Sequence, residues 1–166
     1  MRYSFCPKCG GHLELNEAKD ETKPYCTACG FVFYQNPAVG VAAIIMRDKK
    51  ILLGRRIGGV YEGKWCIPCG YVEWDEDVYE AARREFAEET GLFITIRGVY
   101  TVHSNFHNPN QHTVGIWFMA EEAGGELAAG DDLDAVGFFG YDELPELAFP
   151  TDKLVLQQLK QENQLC

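Results

Sequence analysis

The segment GYVEWDEDVYEAARREFAEETGL, residues 70–92, decides the fold because it places an acidic helix face between two glycines. Glu85, Glu88 and Glu89 stand at positions i, i+3 and i+4, so their side chains leave the same side of a helix. Like charges placed in this way repel one another, and the spacing therefore predicts a bound cation. Carboxylate oxygens on one face suit a hard divalent ion, Mg²⁺ or Mn²⁺, which keeps coordination positions open for phosphate oxygens and water.

The neighbouring residues predict how this segment folds. Gly70 is expected to end a strand in a sharp turn that requires a positive φ. Glu76 is expected to open the helix, where the helix dipole favours an acid, and a loop that folds back would let Arg84 neutralise it. Arg84 also follows Glu80 by one turn, in the favourable order for an ion pair. Gly91 is expected to end the helix as its C-cap.

The complete spacing of this segment resembles the Nudix box, and every fixed position of that pattern is matched. Cys69 is a departure, because the family often has a second glycine before Gly70. The matching positions are Gly70, Glu76, Arg84, Glu85, Phe86, Glu88, Glu89, Gly91 and Leu92.

The resemblance implies an α/β fold, a Nudix α/β/α sandwich with a mixed sheet, that hydrolyses a nucleoside diphosphate linked to another group. It implies that Mg²⁺ or Mn²⁺ binds at Gly70, Glu85, Glu88 and Glu89. The residues expected to serve catalysis are Glu76, Arg84, Glu85 and Glu89. A carboxylate must accept the proton of the attacking water. The candidates for this base are Glu85 and Glu89 in the box and Glu126, Asp131 and Asp132 in a later loop.

Two CxxC pairs near the N-terminus predict a second metal site. Cys6 and Cys9 form one pair and Cys26 and Cys29 the other, with sixteen residues between the pairs. This spacing is typical of a zinc ribbon, in which four thiolates close a structural Zn²⁺ site and leave no position for water. Glycines at positions 10 and 30 suit the two tight turns. The alternative is two disulfides in a secreted protein, which we disfavour because the sequence before Cys6 contains no signal peptide.

Cys66 and Cys69 form a third CxxC, in KWCIPCG. We expect one apolar strand over residues 65–69, in which alternation would send the two thiols to opposite faces. The sequence therefore favours a buried-thiol role over a redox or metal-binding role.

Length and composition predict two parts, a zinc ribbon over residues 1–35 and a hydrolase domain over residues 36–166. A segment of about 35 residues cannot bury enough apolar surface to fold without a metal. The net charge of −10 argues against a nucleic-acid partner. No apolar run approaches the roughly 20 residues that span a bilayer. We expect a cytoplasmic enzyme that binds a small nucleotide, with Arg55 and Arg56 as phosphate contacts, and a homodimer is left open.

Hydrophobic patterning predicts the remaining elements of the larger part. Val78, Ala82 and Phe86 form an apolar stripe that packs the box helix against a sheet. A final helix is expected to begin at the N-cap Thr151, with Leu154, Leu156 and Leu159 as its apolar contacts. The expected strands span residues 38–46, 51–55, 65–69, 94–103, 112–120 and 135–140.

The substrate follows from resemblance rather than from chemistry. The loop over residues 108–114, with Pro109, is similar to a region of ADP-ribose hydrolases in which a proline lies about 17 residues beyond the box. Zinc-ribbon Nudix proteins that act on FAD or ADP-ribose are similar in their N-terminal part. NADH pyrophosphatases also carry a ribbon, but their SQPW-type signature is absent here. ADP-ribose is therefore the expected substrate, with FAD and NADH as alternatives.

Other hypotheses concern substrate binding and a rival function. His112 and Phe106 are expected to influence substrate choice, and four aromatic side chains are candidates for stacking on a base, although core packing is the commoner role of such residues. A binding module that senses a nucleotide without hydrolysing it is a rival function, but the intact box acids argue against it. The four aromatic candidates are Tyr71, Trp74, Phe106 and Trp117.

Overall fold

A short antiparallel hairpin joins the two N-terminal cysteine pairs. Its strands are β1 (Leu13–Asn16) and β2 (Asp20–Cys26). The computed structural model describes residues 3–16 and 20–166. The first of two compact units is Met1–Pro37, and its small core contains Cys6, Leu13 and Cys26.

The second unit, Ala38–Cys166, contains eight strands and two helices. In chain order they are β3 (Ala38–Ile44), β4 (Met46–Arg47), β5 (Lys50–Arg56), β6 (Trp65–Cys66), β7 (Cys69–Tyr71), α1 (Val78–Thr90), β8 (Leu92–Asn105), β9 (Thr113–Gly125), β10 (Leu133–Phe139) and α2 (Pro150–Gln161).

The strands of this unit form two sheets. The first has the order β7-β3-β9-β8 and is mixed, because β3 runs parallel to β9 while the other neighbours are antiparallel. The second has the order β10-β5-β4, with β6 also paired to β5, and all its pairs are antiparallel.

Alternation along β3 places one helix on each face of the mixed sheet. Val41 packs with Ala81 and Ala82 of α1, whereas Ala42 belongs to the cluster that contains Leu156 of α2. Successive strand residues point to opposite faces, so one strand serves both cores. The α/β/α sandwich expected from the sequence is confirmed.

Helix α1 begins later than the sequence predicts. Its N-cap is Asp77, whose side chain accepts hydrogen bonds from the backbone amides of Tyr79 and Glu80. Glu76 therefore lies before the helix and does not open it, which leaves its carboxylate available for another partner. Gly91 ends the helix at φ 70°, and its amide donates to the Ala87 carbonyl, as expected for a C-cap.

The predicted start of α2 is wrong by two residues. Phe149 is the N-cap, and Pro150 occupies the first turn, where its fixed φ suits a helix and its missing N–H costs nothing. Thr151 is consequently inside the helix and buried. Leu156 and Leu159 pack in the core as expected, but Leu154 is 49% exposed.

The strand predicted over residues 65–69 is two short strands in different sheets. Trp65–Cys66 pair with β5, and Cys69–Tyr71 pair with β3. Ile67 and Pro68 carry the chain from one sheet to the other, so strand alternation does not apply between the two thiols. Cys66 is buried and Cys69 is half-buried beside it, rather than on an opposite face.

The strand predicted over residues 38–46 is also divided between sheets, because β3 belongs to the mixed sheet and β4 pairs with β5 in the antiparallel sheet. The remaining strands lie where hydrophobic patterning predicts them, with different ends. Strands β4 and β5 form a hairpin around Asp48 and Lys49, which have φ of 49° and 58°. Strands β8 and β9 extend to Asn105 and Gly125 because each pairs with the other over its full length. Within the described ranges, neither helix has the length and apolar character needed to cross a bilayer.

The burial of α2 gives a direct test of the second core. Leu159→Ala should lower the free energy of unfolding by about 2–5 kcal/mol, because it leaves a cavity at a fully buried position. Leu154→Ala, on the exposed side of the same helix, should change it by less than about 1 kcal/mol. Urea denaturation of both variants measures the difference, and equal losses would contradict this packing.

Candidate active site and zinc-binding cluster

Arg84 ties the loop before α1 to the helix. Its Nε donates to Oε1 of Glu76 at 2.7 Å, and its Nη2 donates to Oε2 at 2.8 Å. The same Nη2 donates to the Tyr71 carbonyl at 3.2 Å, and Glu76 accepts the Glu73 amide at 3.0 Å. The Arg84 guanidinium lowers the pKa of Glu76 to about 2. The loop thus folds back as the sequence predicts, and the bidentate ion pair fixes its shape.

Arg84 also contacts two of the glutamates expected to bind metal. Its Nη1 lies 2.9 Å from Oε1 of Glu85 and 3.1 Å from Oε2 of Glu88. The predicted pair with Glu80 does not form, because Glu80 instead accepts from Arg83 at 2.5 Å. One guanidinium therefore offsets part of the repulsion among the box carboxylates.

Gly70 is required for space rather than for backbone conformation. It lies inside β7, and its φ is outside the positive range, so the expected turn is wrong. A Cβ at this position would stand 1.9 Å from the carboxyl carbon of Glu85. The absence of a side chain lets the Glu85 carboxylate lie directly against the strand.

Glu89 is a buried carboxyl group at the base of this cluster. Its side chain is 1% exposed, and Oε2 accepts the Cys69 amide at 2.7 Å. Burial, together with the neighbouring Asp132 carboxyl, raises the pKa of Glu89 to about 10. A carboxyl group in this environment holds a proton unless a cation replaces it.

The box acids have the chemistry that a hard divalent cation requires. They offer carboxylate oxygens, Gly70 leaves room for Glu85, and Glu89 forms no ion pair with any residue in the described ranges. Glu85 and Glu88 are drawn toward Arg84, whereas Glu89 is held by the Cys69 amide, so the three carboxylates do not converge on one point. Among the residues that the structure describes, only the four N-terminal cysteines have ligand atoms that all lie within 4.8 Å of one another.

A cavity of about 500 Å³ adjoins these acids. Glu85 and Glu89 lie in its wall, together with Asp131 and Asp132 from the loop before β10. Glu126, the third loop acid considered from the sequence, lies outside the described cavity wall. The structure thus brings two box glutamates and two loop aspartates to the same cavity.

Arg56 is the cationic side chain in the cavity wall. It donates to Asp132 at 2.5 Å and lies 5.5 Å from the centroid of the Phe149 ring. Arg55, the second arginine expected to contact phosphate, pairs instead with Asp134 on the surface. Only one oxygen of Asp132 is bonded, because its Oδ1 is buried without a hydrogen-bond partner.

The aromatic candidates are only partly placed at the cavity. Tyr71 and Trp117 line it, but Trp117 is 5% exposed and belongs to the core. Trp74 is 93% exposed, and Phe106 packs against His112 at a centroid distance of 5.0 Å, outside the cavity wall. Of the four candidates, Tyr71 is the exposed side chain that lines the cavity, and its contact with a base stays a prediction.

Sequence reasoning missed a group of three rings at the cavity. Tyr61 lies 5.6 Å from His107 and 5.2 Å from Phe149, between ring centroids, and all three line the wall. They come from loops that are far apart in the chain, so no local pattern relates them. The loop around Pro109 does reach the cavity, through Asn108 and Gln111.

The four N-terminal cysteines form a second cluster. Cys6 Sγ lies 3.9 Å from Cys29 Sγ, and Cys9 Sγ lies 3.5 Å from Cys26 Sγ; all four are free thiols. Each CxxC lies on its own tight turn, and the two turns are of the same kind, each followed by a glycine in the left-handed region. The Cys29 amide lowers the pKa of Cys26 to about 7, whereas the pKa of Cys9 is raised to about 12, because the lowering effect of the Gly11 amide is outweighed by hydrogen bonds with the thiols of Cys29 and Cys26.

The left-handed glycines of these turns are Gly10, with φ of 76°, and Gly30, with φ of 72°. Their amides donate to the carbonyls of Cys6 and Cys26, each at 2.9 Å. The two halves of the cluster are therefore built alike, as the sequence predicts.

Comparison with known families assigns both parts of the chain. The NUDIX domain matches residues 35–159, and the Nudix N-terminal zinc ribbon matches residues 4–35. The chain therefore belongs to the Nudix hydrolases, a family of enzymes that use divalent metals.

Individual relatives point to related but different substrates. An ADP-ribose pyrophosphatase of Methanocaldococcus jannaschii is 40% identical over 131 residues, 78% of each chain. An NAD-capped RNA hydrolase NudC of Haemophilus influenzae is 30% identical over 99% of this chain, which spans 61% of the length of that relative. A NUDIX hydrolase from Nitrosomonas europaea superposes with a TM-score of 0.83 at 32% identity, covering 96% of this chain and 92% of its own.

The cysteine cluster predicts one zinc per chain. Protein purified without chelator should contain about one equivalent of zinc by elemental analysis, and Cys26→Ser should lose it, because a closed four-thiolate site needs every ligand. The melting temperature should fall with the zinc. Zinc-free protein, or a disulfide within either CxxC, would contradict this prediction.

The two adjacent arginines of α1 provide a matched pair of variants. Arg84→Ala should reduce kcat at least about tenfold and lower the melting temperature, since it releases Glu76 and leaves the box acids uncompensated. Arg83→Ala removes only the exposed contact with Glu80 and should leave both quantities nearly unchanged. Steady-state kinetics and thermal melts test this contrast, and similar behaviour of the two variants would refute it.

Proposed function

We propose that this protein hydrolyses ADP-ribose, with Mg²⁺ or Mn²⁺, to AMP and ribose 5-phosphate. The observation that carries the proposal is the cavity that box acids share with Arg56 and the loop aspartates. The relative from Methanocaldococcus jannaschii, named an ADP-ribose pyrophosphatase, supports the choice of substrate. The zinc of the N-terminal cluster has a structural role in this proposal.

Glu85, Glu88 and Glu89 would hold the metal, with Gly70 leaving the space that Glu85 needs. A bound Mg²⁺ or Mn²⁺ neutralises pyrophosphate oxygens and lowers the pKa of a coordinated water. Glu88 is half exposed, so its side chain can leave Arg84 to join the site. Glu76 and Arg84 act by holding the loop and the helix in register.

Asp131 is the loop acid that we favour as proton acceptor. Asp132 is held by Arg56 at 2.5 Å and lies against Glu89, so its carboxylate is already engaged. Asp131 lines the cavity and is exposed, and its charge contributes to a raised pKa at Glu85, which burial mainly causes. An exposed carboxylate close to the metal-binding acids can take a proton and return it to solvent.

The rings of Tyr61, His107 and Phe149 would contact the adenine base. Aromatic side chains offer a base a large apolar contact, and edge-to-face pairs hold each ring in place. Arg56, beside Phe149, would then lie between the base and the metal-bound phosphates, where a guanidinium can bind a phosphate oxygen.

Hydrolysis of NAD(H) or of an NAD-capped RNA is the second candidate. It is favoured by the match to the Haemophilus influenzae relative, which extends over almost the whole chain, ribbon included. The net charge of −10 and the missing SQPW-type signature weigh against it. FAD shares the adenylate half of ADP-ribose and stays a third alternative.

A substrate panel tests the proposal. ADP-ribose, FAD, NADH, an NAD-capped RNA and nucleoside triphosphates should be compared by kcat/KM with Mg²⁺ and with Mn²⁺. ADP-ribose should rank first, with AMP and ribose 5-phosphate as products. A tenfold advantage of any other substrate would overturn the assignment of ADP-ribose, and no hydrolysis of any would favour a nucleotide-binding module.

Glu89→Gln separates the chemistry of the site from its fold. Glutamine resembles the protonated acid that the metal-free protein contains, so the variant should fold normally, but it removes the metal-binding charge. The value of kcat should fall at least about a hundredfold. Kinetics and a thermal melt in the absence of metal measure both effects, and near-normal turnover would exclude Glu89 from the site.

The raised pKa of Glu89 also predicts how metal binding depends on pH. At neutral pH the metal must displace the Glu89 proton, so affinity should rise with pH, by up to about tenfold per unit below pH 10, and binding should release a proton. Calorimetry of Mn²⁺ binding in buffers of different ionisation enthalpy measures that proton. Affinity independent of pH between 6 and 8 would contradict the prediction.

A further inference from the structure

The segment that crosses between the two sheets, Cys66–Cys69, is held by two carboxyl groups from opposite sides. Pro68 has no N–H, so the segment presents the amides of Ile67 and Cys69. The Ile67 amide donates to Oδ2 of Asp152 at 3.1 Å, and the Cys69 amide donates to Oε2 of Glu89 at 2.7 Å. A three-residue stretch of backbone thus connects helix α2 to the buried acid of α1.

Asp152 has little freedom to move from this position. It is 2% exposed and lies in the first turn of α2, where the helix dipole favours an acid. Burial raises the pKa of Asp152 to about 7, while the Ile67 amide opposes that shift. A side chain so enclosed keeps its hydrogen bond as long as the helix is folded.

A second backbone hydrogen bond of the crossing is longer than the one between Ile67 and Asp152. The Pro68 carbonyl accepts the Ala43 amide at 3.3 Å, which is a long hydrogen bond. Cys69 then enters β7, whose three residues pair with β3. The hydrogen bond from Ile67 to Asp152 and the pairing of β7 with β3 are thus backbone anchors on the two sides of Pro68.

We propose that Asp152 is a positioning residue for the metal site, which fixes the crossing at Ile67 so that the Cys69 amide holds one oxygen of Glu89 and leaves the other for the metal. The inference rests on the proposed role of Glu89 in metal binding and is independent of the substrate. Without the Asp152 acceptor, the buried Ile67 amide has to find another partner, and the crossing shifts away from Glu89.

Three variants distinguish this role from others. Asp152→Ala removes the acceptor, Asp152→Asn keeps an oxygen that can accept from Ile67, and Leu154→Ala is a control on the exposed side of the same helix. Calorimetry with Mn²⁺ alone should show at least a tenfold loss of affinity for Asp152→Ala. Affinity should stay within threefold of the wild type for Asp152→Asn and for Leu154→Ala.

Hydrogen exchange provides a readout that does not involve the metal. The backbone amides of residues 65–71 should exchange faster in Asp152→Ala than in Asp152→Asn or the wild type. Because Asp152 also lines the cavity, KM for ADP-ribose at saturating metal should be measured as well. If Asp152 acts only by positioning, that KM stays within threefold of the wild-type value. A raised KM in both Asp152 variants, with unchanged Mn²⁺ affinity, would show direct substrate contact and overturn the proposal.

Two further comparisons distinguish failure of the positioning role from failure of the metal-site assignment. Glu89→Gln should lose Mn²⁺ affinity; if it binds as the wild type does, the metal site itself is misassigned. Normal Mn²⁺ affinity in Asp152→Ala, with a loss in Glu89→Gln, overturns the positioning role alone. If Asp152→Ala fails to fold by circular dichroism, Asp152→Glu, which displaces the acceptor by one methylene, replaces it, and an affinity within threefold of the wild type refutes the inference.

Discussion

The contacts of Arg84 connect the loop, the helix and the acidic cluster of this enzyme. A single guanidinium binds both oxygens of Glu76 and also reaches Glu85 and Glu88. Lysine could not make this set of contacts, since it has one compact charge and no planar fork. The loop from Tyr71 to Glu76 has little apolar burial to stabilise it, so the ion pair determines its shape. That shape in turn places β7 and Gly70 against Glu85.

The acids of the site differ in which protonation state the protein stabilises. Glu76 is stabilised as an anion by Arg84, whereas Glu89 is buried without an ion pair among the described residues, and burial stabilises its protonated form. A metal ion that replaces this proton exchanges one positive charge for two. The same burial that destabilises the anion of Glu89 thus makes the site respond strongly to a divalent cation.

Spacing within the short box segment predicts the box helix, its glycine cap and the Glu76–Arg84 pair, and the family resemblance of that segment implies the α/β/α sandwich. It fails where tertiary context decides. Gly70 is predicted as a turn residue because the sequence does not show that the Glu85 side chain lies against it. Cys66 and Cys69 are predicted to share one strand because the sequence does not show that the chain changes sheets between them. The ring group of Tyr61, His107 and Phe149 comes from three loops, and no periodic signal relates residues that far apart.

This division between local and tertiary information also explains why relatives with one box carry the names of different substrates. The acids proposed to bind the metal lie on a helix fixed by capping, by Arg84 and by packing of Ala81 and Ala82 on the sheet. The rest of the cavity wall combines strand residues with loop residues such as Tyr61, His107 and Asp131. The backbone of such loops is less constrained by sheet hydrogen bonds. Substitutions in those loops can alter which group is accepted beyond the pyrophosphate without disturbing the metal site. We therefore expect the chemistry to depend on the helix, and substrate choice to depend on side chains that the helix does not position.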